Sequence, residues 1–150
     1  MTYFADHYGE FRYPIQEGEG TGFRLAQLGA IHAAAAHFAN RPDPAVVTMP
    51  TGSGKTAVLI ATAFVLCATR VLIIAPGRLV REQIADEVQK LSTLRIAGAI
   101  PESVPGPRVL SVKKRIVTAE GWERMRGFDV VVGTVQSISP EYAEVPEPPA

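Results

Sequence analysis

Cysteine is nearly absent from this sequence, since Cys67 is the only one among 150 residues. A single cysteine excludes an internal disulfide, so packed apolar side chains must hold the fold together. Cys67 lies in an apolar run, where it is expected to be a buried small hydrophobe. A low cysteine count is also typical of a protein of the reducing cytoplasm.

Excess charge and long hydrophobic runs are lacking as well. The chain has 15 Lys and Arg against 15 Asp and Glu, so its formal net charge is zero, and only a local basic patch could serve a polyanion. The longest apolar run, residues 57–68, is too short to span a membrane. The first residues, MTYFADHYGEFRYP, do not form a signal peptide. These absences favour a cytoplasmic protein with no membrane partner.

Apolar strands alternate with helices along the chain, as judged from runs of β-branched residues and from helical periodicity. The predicted strands are residues 45–49, 70–75, 108–112 and 129–134, and the predicted helices are 24–39, 55–68, 78–91 and 119–126, the last capped by Thr118. This alternation predicts an α/β fold of three layers, with helices on both faces of a parallel sheet. Ligands of such sheets bind beyond the carboxyl ends of the strands.

The ends of the chain are expected to lie outside this regular part. Residues 1–22 are rich in aromatics and glycine and predict an irregular lead-in with one short strand. Residues 139–150 include the proline-rich EVPEPPA and predict a loose tail after a turn begun by Ser139 and Pro140. The predicted domain therefore covers residues 23–138.

The stretch VVTMPTGSGKTAVLIATAF, residues 46–64, carries the clearest chemical signal. A strand, a glycine-rich loop and a helix follow one another, and a helix N-terminus with free amide groups attracts phosphate. Gly52 and Gly54 allow the backbone to approach the phosphates closely. Lys55 supplies a positive charge for the outer phosphates, and the Thr56 hydroxyl is a ligand for Mg²⁺.

The strict phosphate-loop pattern asks for a further glycine where this chain has Met49. The strand–loop–helix order outweighs that departure. The plainer alternative is a glycine-rich turn whose lysine is merely exposed.

Four segments, in this order, resemble the first motor domain of superfamily 2 helicases of the DEAD/DEAH type. The similarity is greatest to the branch that includes type III restriction-enzyme subunits. The segments are FRLAQLGAI (23–31), MPTGSGKT (49–56), LIIAPGRLVREQ (72–83) and DVVVGTVQSI (129–138). The resemblance implies the N-terminal part of a RecA-like P-loop NTPase domain that uses ATP and Mg²⁺ and acts on DNA or RNA.

The resemblance also implies roles for individual residues. Gln27 would hydrogen-bond the adenine edge, with Arg24 near the base or ribose; the alternative is a surface glutamine. Residues of the phosphate loop would hold the nucleotide, namely Thr51, Gly52, Ser53, Gly54, Lys55 and Thr56, and the loops after two strands would touch the nucleic-acid backbone through Pro76, Gly77, Arg78, Thr134, Gln136 and Ser137. For the hydroxyls, helix capping is the alternative.

Other features count against a complete enzyme. No Asp-Glu pair stands at a strand end, and the family's second motor domain with its arginine finger is not found. The sequence is therefore expected to be the ATP-binding front of a helicase, interrupted before its acid box and unable to hydrolyse ATP alone. A nucleotide kinase and a non-catalytic nucleic-acid-binding remnant are the alternatives. The basic run VKKR, residues 112–115, is expected to be a solvated edge.

The same resemblance bears on the sheet. In this family, strands from later in the chain lie between the strand before the phosphate loop and the next one. If they are missing, the edges of 71–75 and of 45–49 are exposed to water or to another molecule. The missing remainder of the motor or a complementary subunit would then be the natural partner.

Overall fold

The computed structural model describes residues 2–116 and 118–138, and it has the α/β architecture with a parallel sheet that the sequence predicts. The chain divides into two compact units. Unit 1 contains residues 1–69 and 91–105, and unit 2 contains residues 70–90 and 106–150. The predicted tail at 139–150 lies outside the described residues.

Seven helices are found in the described residues. They are α1 (Tyr3–Asp6), α2 (Leu25–Asn40), α3 (Lys55–Val65), α4 (Arg78–Lys90), α5 (Ser92–Ile96), α6 (Ala119–Met125) and α7 (Val135–Ile138), and a 3₁₀ turn covers Tyr8–Glu10. The three strands are β1 (Val71–Ala75), β2 (Val109–Ser111) and β3 (Val130–Thr134). Within the described part of the chain, no helix combines the length and the apolar character that a membrane crossing requires.

Unit 1 is helical and packs around the aromatic ring of Phe64 on α3, which is fully buried. Phe11 stacks on this ring at 5.3 Å between centroids, and Phe4 meets it edge-on at 5.0 Å. Helix α2 lies along α3, and both α1 and α5 contact α3. The aromatic residues of the lead-in therefore have a structural task, since they close the core over the helix that follows the glycine-rich loop.

Unit 2 contains the sheet, in the order β1-β3-β2, with every neighbouring pair parallel. All five residues of β3 are buried, as expected for the central strand. Helix α4 contacts all three strands. A second apolar cluster joins Val131 of β3 to residues of α6, α7 and the segment after β2, namely Val112, Ile116, Trp122, Met125 and Ile138. Helices thus cover two faces of this small sheet.

Strand β1 is an edge strand, because it hydrogen-bonds to β3 and to no other strand among the described residues. Leu72 and Ile74, on the same face of β1, are 56% and 44% exposed. The expectation that the edge of residues 71–75 would be open is confirmed. An apolar, unpaired edge of this kind favours association with other chains.

Two predictions about local structure are wrong. Residues 45–49 form no strand, and Val46 is 91% exposed. A strand needs a neighbour to satisfy its backbone groups, and none is found for this segment in the described chain. Cys67 is exposed rather than buried, because α3 ends at Val65 and Cys67 takes a left-handed conformation with φ of 45° in the turn that follows.

Three helices were not predicted from the sequence. Helix α1 lies in the segment predicted to be irregular, α5 follows α4 after a break at Leu91, which has φ of 54°, and α7 directly follows β3. All three helices are a single turn or slightly more, so their periodicity is too short to detect. The helices predicted at 24–39, 78–91 and 119–126 are confirmed within two residues, including the Thr118 side chain that accepts from the Gly121 amide at 3.2 Å.

A buried carboxylate holds the amino ends of β2 and β3 together. Asp129 accepts hydrogen bonds from the backbone amide of Arg108 at 2.8 Å and from its guanidinium at 3.0 and 3.2 Å. Burial acts to raise the pKa of Asp129, but the hydrogen bonds from Arg108 outweigh it, and the pKa is lowered. The same pair raises the pKa of Arg108, mainly through the side-chain hydrogen bond.

We expect Asp129→Asn to flatten the acid limb of the stability profile. Because the pKa of Asp129 is lower in the folded chain, its contribution is complete above the unfolded pKa of about 3.9 and is lost as the pH falls through the folded value. The midpoint of urea unfolding should therefore fall more steeply with acid in the wild type than in this variant. Asp86→Asn is the control, since that carboxylate is 61% exposed beside Lys90. Equal slopes in all three proteins would contradict the assignment.

Candidate functional site

The glycine-rich loop, residues 50–54, leads directly into α3, which begins at Lys55. Gly52 and Gly54 have φ of 77° and 81°, in the left-handed region that favours glycine. A Cβ at Gly54 would collide with the side-chain nitrogen of Gln27. The backbone conformation therefore favours glycine at this position, and a larger residue would also displace the Gln27 amide.

Several hydrogen-bond donors at the start of α3 have no acceptor within the described chain. Gly54 is the N-cap residue, and no side chain caps the helix. Within the described chain, the backbone amides of Gly52, Gly54, Lys55 and Thr56 donate to no other group, and neither does the Thr56 hydroxyl. Free amides at a helix start, with the positive end of the helix dipole behind them, form an anion-binding site.

The loop turns back on itself through one carbonyl group. The Pro50 carbonyl accepts hydrogen bonds from the Lys55 ammonium at 2.8 Å and from the hydroxyl of Ser53 at 2.6 Å. The Ser53 amide donates to the same oxygen at 3.3 Å. Lys55 is exposed, so its ammonium can leave this carbonyl at little cost when a stronger acceptor arrives.

Helix α2 holds the loop from the side. The Gln27 amide nitrogen donates to the Gly54 carbonyl at 3.2 Å, and its oxygen accepts from the Arg24 backbone amide at 2.8 Å. The Arg24 guanidinium donates to the Gly52 carbonyl at 3.0 Å. Gln27 is only 6% exposed, so it is not the surface glutamine that the sequence left open. The Gln27 nitrogen carries a second N–H and its oxygen a second lone pair, so both atoms keep one hydrogen-bonding position beyond these contacts.

A pocket of about 290 Å³ lies beside the loop, entirely within unit 1. Ligand pockets start at roughly 300 Å³, so this one has room for a group such as a base rather than for a whole nucleotide. Its lining combines the segment before α2, the start of α2, the loop and α5, and includes Gln16, Gly22, Phe23, Arg24, Gln27, Gly52, Gly54, Thr93 and Ile96.

Several of these residues were missed by the sequence analysis. Gln16 and Gly22 belong to the predicted lead-in, and Thr93 and Ile96 belong to the undetected α5. The triplet of glycines in EGEGTG, residues 17–22, was the available signal. Gly22 has φ of 136°, and a Cβ there would lie 2.5 Å from the Gln16 amide nitrogen. Nothing in the sequence of α5 points to a pocket.

The second group of expected contacts lies in unit 2, where β1 and β3 are parallel neighbours. Ala75 pairs with Thr134, so both strands end at the same edge of the sheet. Residues 76–78 follow β1, and residues 134–137 end β3 and form α7. The structure therefore brings these two loops together. Pro76, Arg78 and Gln136 are exposed there, and Gly77 is half-buried.

Thr134 and Ser137 are buried and bonded to each other. The Ser137 hydroxyl accepts from the Thr134 amide at 2.9 Å and donates to the Thr134 carbonyl at 2.9 Å. The Thr134 hydroxyl also lies 3.3 Å from the Ser137 hydroxyl. This arrangement is the capping role that the sequence left as the alternative for these hydroxyls. Contact with a nucleic acid stays a prediction for both residues.

A metal could be held at the loop only through groups brought by a ligand, as far as the described residues go. They contain no group of three or more His, Cys, Asp or Glu side chains suited to a metal ion. The Thr56 hydroxyl is a single oxygen donor, of the kind that Mg²⁺ takes together with phosphate oxygens and water. The residues present therefore fit a magnesium ion that arrives with a phosphate chain.

Comparison with protein families gives a match that covers most of the chain. The model of the family described as type III restriction enzyme, res subunit, matches residues 21–147. Comparison with curated proteins found no match, and comparison with solved structures found none. The matched range includes the glycine-rich loop, the helix that holds it and all three strands of the sheet. The chain therefore belongs to the family of type III restriction enzyme res subunits, whose domain is of the DEAD-like superfamily 2 helicase kind.

Proposed function

We propose that this chain is the ATP-binding part of a nucleic-acid-dependent ATPase, a helicase or translocase whose motor domain has the RecA-like P-loop fold. One observation carries the proposal: the unpartnered amides at the start of α3. The first amides of a helix have no acceptor within it, and a phosphate chain would satisfy several of them at once. Helicase-like families use ATP and Mg²⁺ in general, which fits this chemistry.

Each residue of the loop would have its own role in binding the nucleotide. The amides of Gly52, Gly54, Lys55 and Thr56 would bind phosphate oxygens, and the glycines would keep the path to those amides clear. The Lys55 ammonium would exchange the Pro50 carbonyl for the outer phosphates. Thr56 would hold a magnesium ion. When bound, this ion would neutralise part of the phosphate charge. Thr51 and Ser53 would shape the loop around the phosphates.

The pocket beside the loop would take the adenine base. It adjoins the loop through Gly52 and Gly54 and adjoins α2 through Arg24 and Gln27, so base and phosphates would be bound by adjoining parts of unit 1. Gln27 would read the base edge with its amide, because an amide matches the donor and acceptor of adenine. Arg24 would lie near the base or ribose.

The nucleic acid would bind at the carboxyl edge of the sheet in unit 2. Arg78 and Gln136 are exposed there and can contact backbone phosphates, and Pro76 and Gly77 leave the approach to the backbone open. The proposal is limited to binding, since no strand among the described residues ends in an Asp-Glu pair that would position Mg²⁺ and the attacking water. An acid pair and an arginine finger from elsewhere would be needed for hydrolysis.

We expect Lys55→Ala to weaken binding of Mg·ADP and Mg·ATP by roughly tenfold to a hundredfold, which corresponds to loss of a charge-assisted hydrogen bond. Isothermal titration calorimetry on the whole chain measures it. Lys90→Ala is the matched control, because Lys90 is an exposed lysine paired with Asp86 on α4. Equal affinity in the wild type and Lys55→Ala would rule out the loop as the phosphate site. Oligonucleotide binding without any nucleotide binding would instead indicate the non-catalytic alternative.

We expect the wild type to prefer ATP over GTP, and Gln27→Ala to lose that preference. Guanine exchanges donor and acceptor at the six position, so an amide that fits adenine leaves unpaired groups against guanine. Because Gln27 also bonds to the loop, the variant should weaken binding of both nucleotides, and the ratio of the two dissociation constants is the informative quantity. Gln83→Ala, on the exposed side of α4, is the control. An unchanged ratio in Gln27→Ala would show that Gln27 supports the loop without reading the base.

A further inference from the structure

Three consecutive cations follow strand β2: Lys113, Lys114 and Arg115, called here the basic loop. All three are exposed, and the Lys113 side chain is 70% exposed. In the sequence this run is an ordinary solvated edge. The sheet of unit 2 gives it a position that the sequence does not reveal.

The basic loop is fixed at both of its ends. At its start, the Val112 amide donates to the Val132 carbonyl at 2.8 Å, which extends the pairing of β2 with β3. The Arg81 guanidinium donates to the Val112 carbonyl at 3.0 Å. At its end, the Ile116 amide donates to the Ser137 carbonyl at 3.4 Å. Val112 and Ile116 are also buried in the same apolar cluster. Three cations are thus presented on a segment whose flanking residues are held by the core.

The position of the basic loop follows from the strand order. Since β1, β3 and β2 are parallel neighbours in that order, their carboxyl ends share one edge of the sheet. Arg78 follows β1, Gln136 follows β3, and the basic loop follows β2. With roughly 4.8 Å between neighbouring strands, the three segments form a row of roughly 10 Å. Within duplex DNA one strand rises about 3.4 Å per nucleotide, so the row matches about three nucleotides of such a strand.

The carboxylate of Glu82 moderates the charge of this row. Glu82 accepts a hydrogen bond from Arg81 at 2.6 Å, and its oxygen lies 4.0 Å from the Lys113 ammonium. The hydrogen bond from Arg81 lowers the pKa of Glu82, so the group is a carboxylate at neutral pH. Lys113 therefore shares its charge with Glu82, and a polyanion at the basic loop has to compete with that carboxylate.

We propose that Lys113, Lys114 and Arg115 bind backbone phosphates of a polynucleotide strand, which continues along the edge past Gln136 and Arg78. The proposal rests on the nucleic-acid part of the proposed function and extends the binding surface to the loop after β2. The occupant is a polynucleotide because its charges repeat along a line, as the exposed groups of this row do, and because amide and guanidinium groups are the usual partners of phosphate. Contacts with the backbone alone would be independent of base sequence.

The test measures binding of a fluorescein-labelled single-stranded oligothymidylate of 20 nucleotides to the full chain by anisotropy, at several salt concentrations. The triple variant Lys113→Gln, Lys114→Gln, Arg115→Gln should bind about tenfold more weakly or worse at low salt, and the slope of log affinity against log salt should fall by about 2, or about 0.7 for each lost phosphate contact. The substituted side chains are exposed, so the variant should fold, which circular dichroism and the urea midpoint check.

A matched triple variant distinguishes a specific binding site from a general effect of net charge. Lys90→Gln, Arg124→Gln, Arg126→Gln removes the same number of positive charges from exposed positions of unit 2, on α4 and around the end of α6. We expect its affinity to stay within about threefold of the wild type. Equal losses in the two triple variants would overturn the proposal, because net charge alone would explain them. An unchanged affinity in the first triple variant would overturn it as well.

Removal of the negative charge beside Lys113 tests the contribution of this lysine. Glu82→Gln keeps a hydrogen-bond acceptor for Arg81 but removes the negative charge beside Lys113, so oligothymidylate binding should tighten by about twofold or more. Weaker or unchanged binding would remove Lys113 from the site.

Two further outcomes separate failure of this inference from failure of the proposed function. If the wild type binds no oligothymidylate, the nucleic-acid part of the proposed function fails together with this inference. If the wild type binds oligothymidylate and the first triple variant binds it with the same affinity, this inference is wrong but the proposed function stands. Competition with poly-L-glutamate at equal charge concentration should displace the oligonucleotide poorly; equally effective displacement would favour an acidic protein as the occupant and overturn the proposal.

Discussion

The proposed phosphate site depends on a helix, α3, that begins without a side-chain cap. A serine, threonine or aspartate at the N-cap of α3 would bond to one of the first amides and occupy it. Gly54 has no side chain to do so, and its left-handed conformation, with φ of 81°, turns the chain sharply into Lys55. The donors at the start of α3 therefore stay available to a ligand.

The rest of unit 1 supports that uncapped helix. The Gln27 amide bonds to the carbonyl of Gly54, and the Arg24 guanidinium bonds to the carbonyl of Gly52, so α2 fixes the acceptors of the loop while leaving its donors free. On the other side, the buried ring of Phe64 anchors α3 among the aromatic rings of the lead-in. In unit 2 the parallel sheet gathers three loops at its carboxyl edge, where the proposed polynucleotide would bind.

The sequence predicted what depends on local patterns and failed where distant residues decide. The glycine-rich loop, the start of α3 at Lys55 and the runs of β1 and β3 were all recognisable, because their signals lie within a few residues. Residues 45–49 have a strand's composition and form no strand, since pairing depends on neighbours that local sequence does not specify. The same limit applies to the site. The mutual bonding of Thr134 and Ser137, the burial of Gln27 and the position of the basic loop all follow from tertiary contacts.

The central claim is that the free amides at the start of α3 bind phosphate groups. Amide chemical shifts of the ¹⁵N-labelled chain, followed while magnesium pyrophosphate is added, test it most directly. The account predicts saturable shifts that are largest at Gly52, Gly54, Lys55 and Thr56. If these four amides did not move, or if the largest shifts lay on the helices and strands of unit 2, the account would be contradicted.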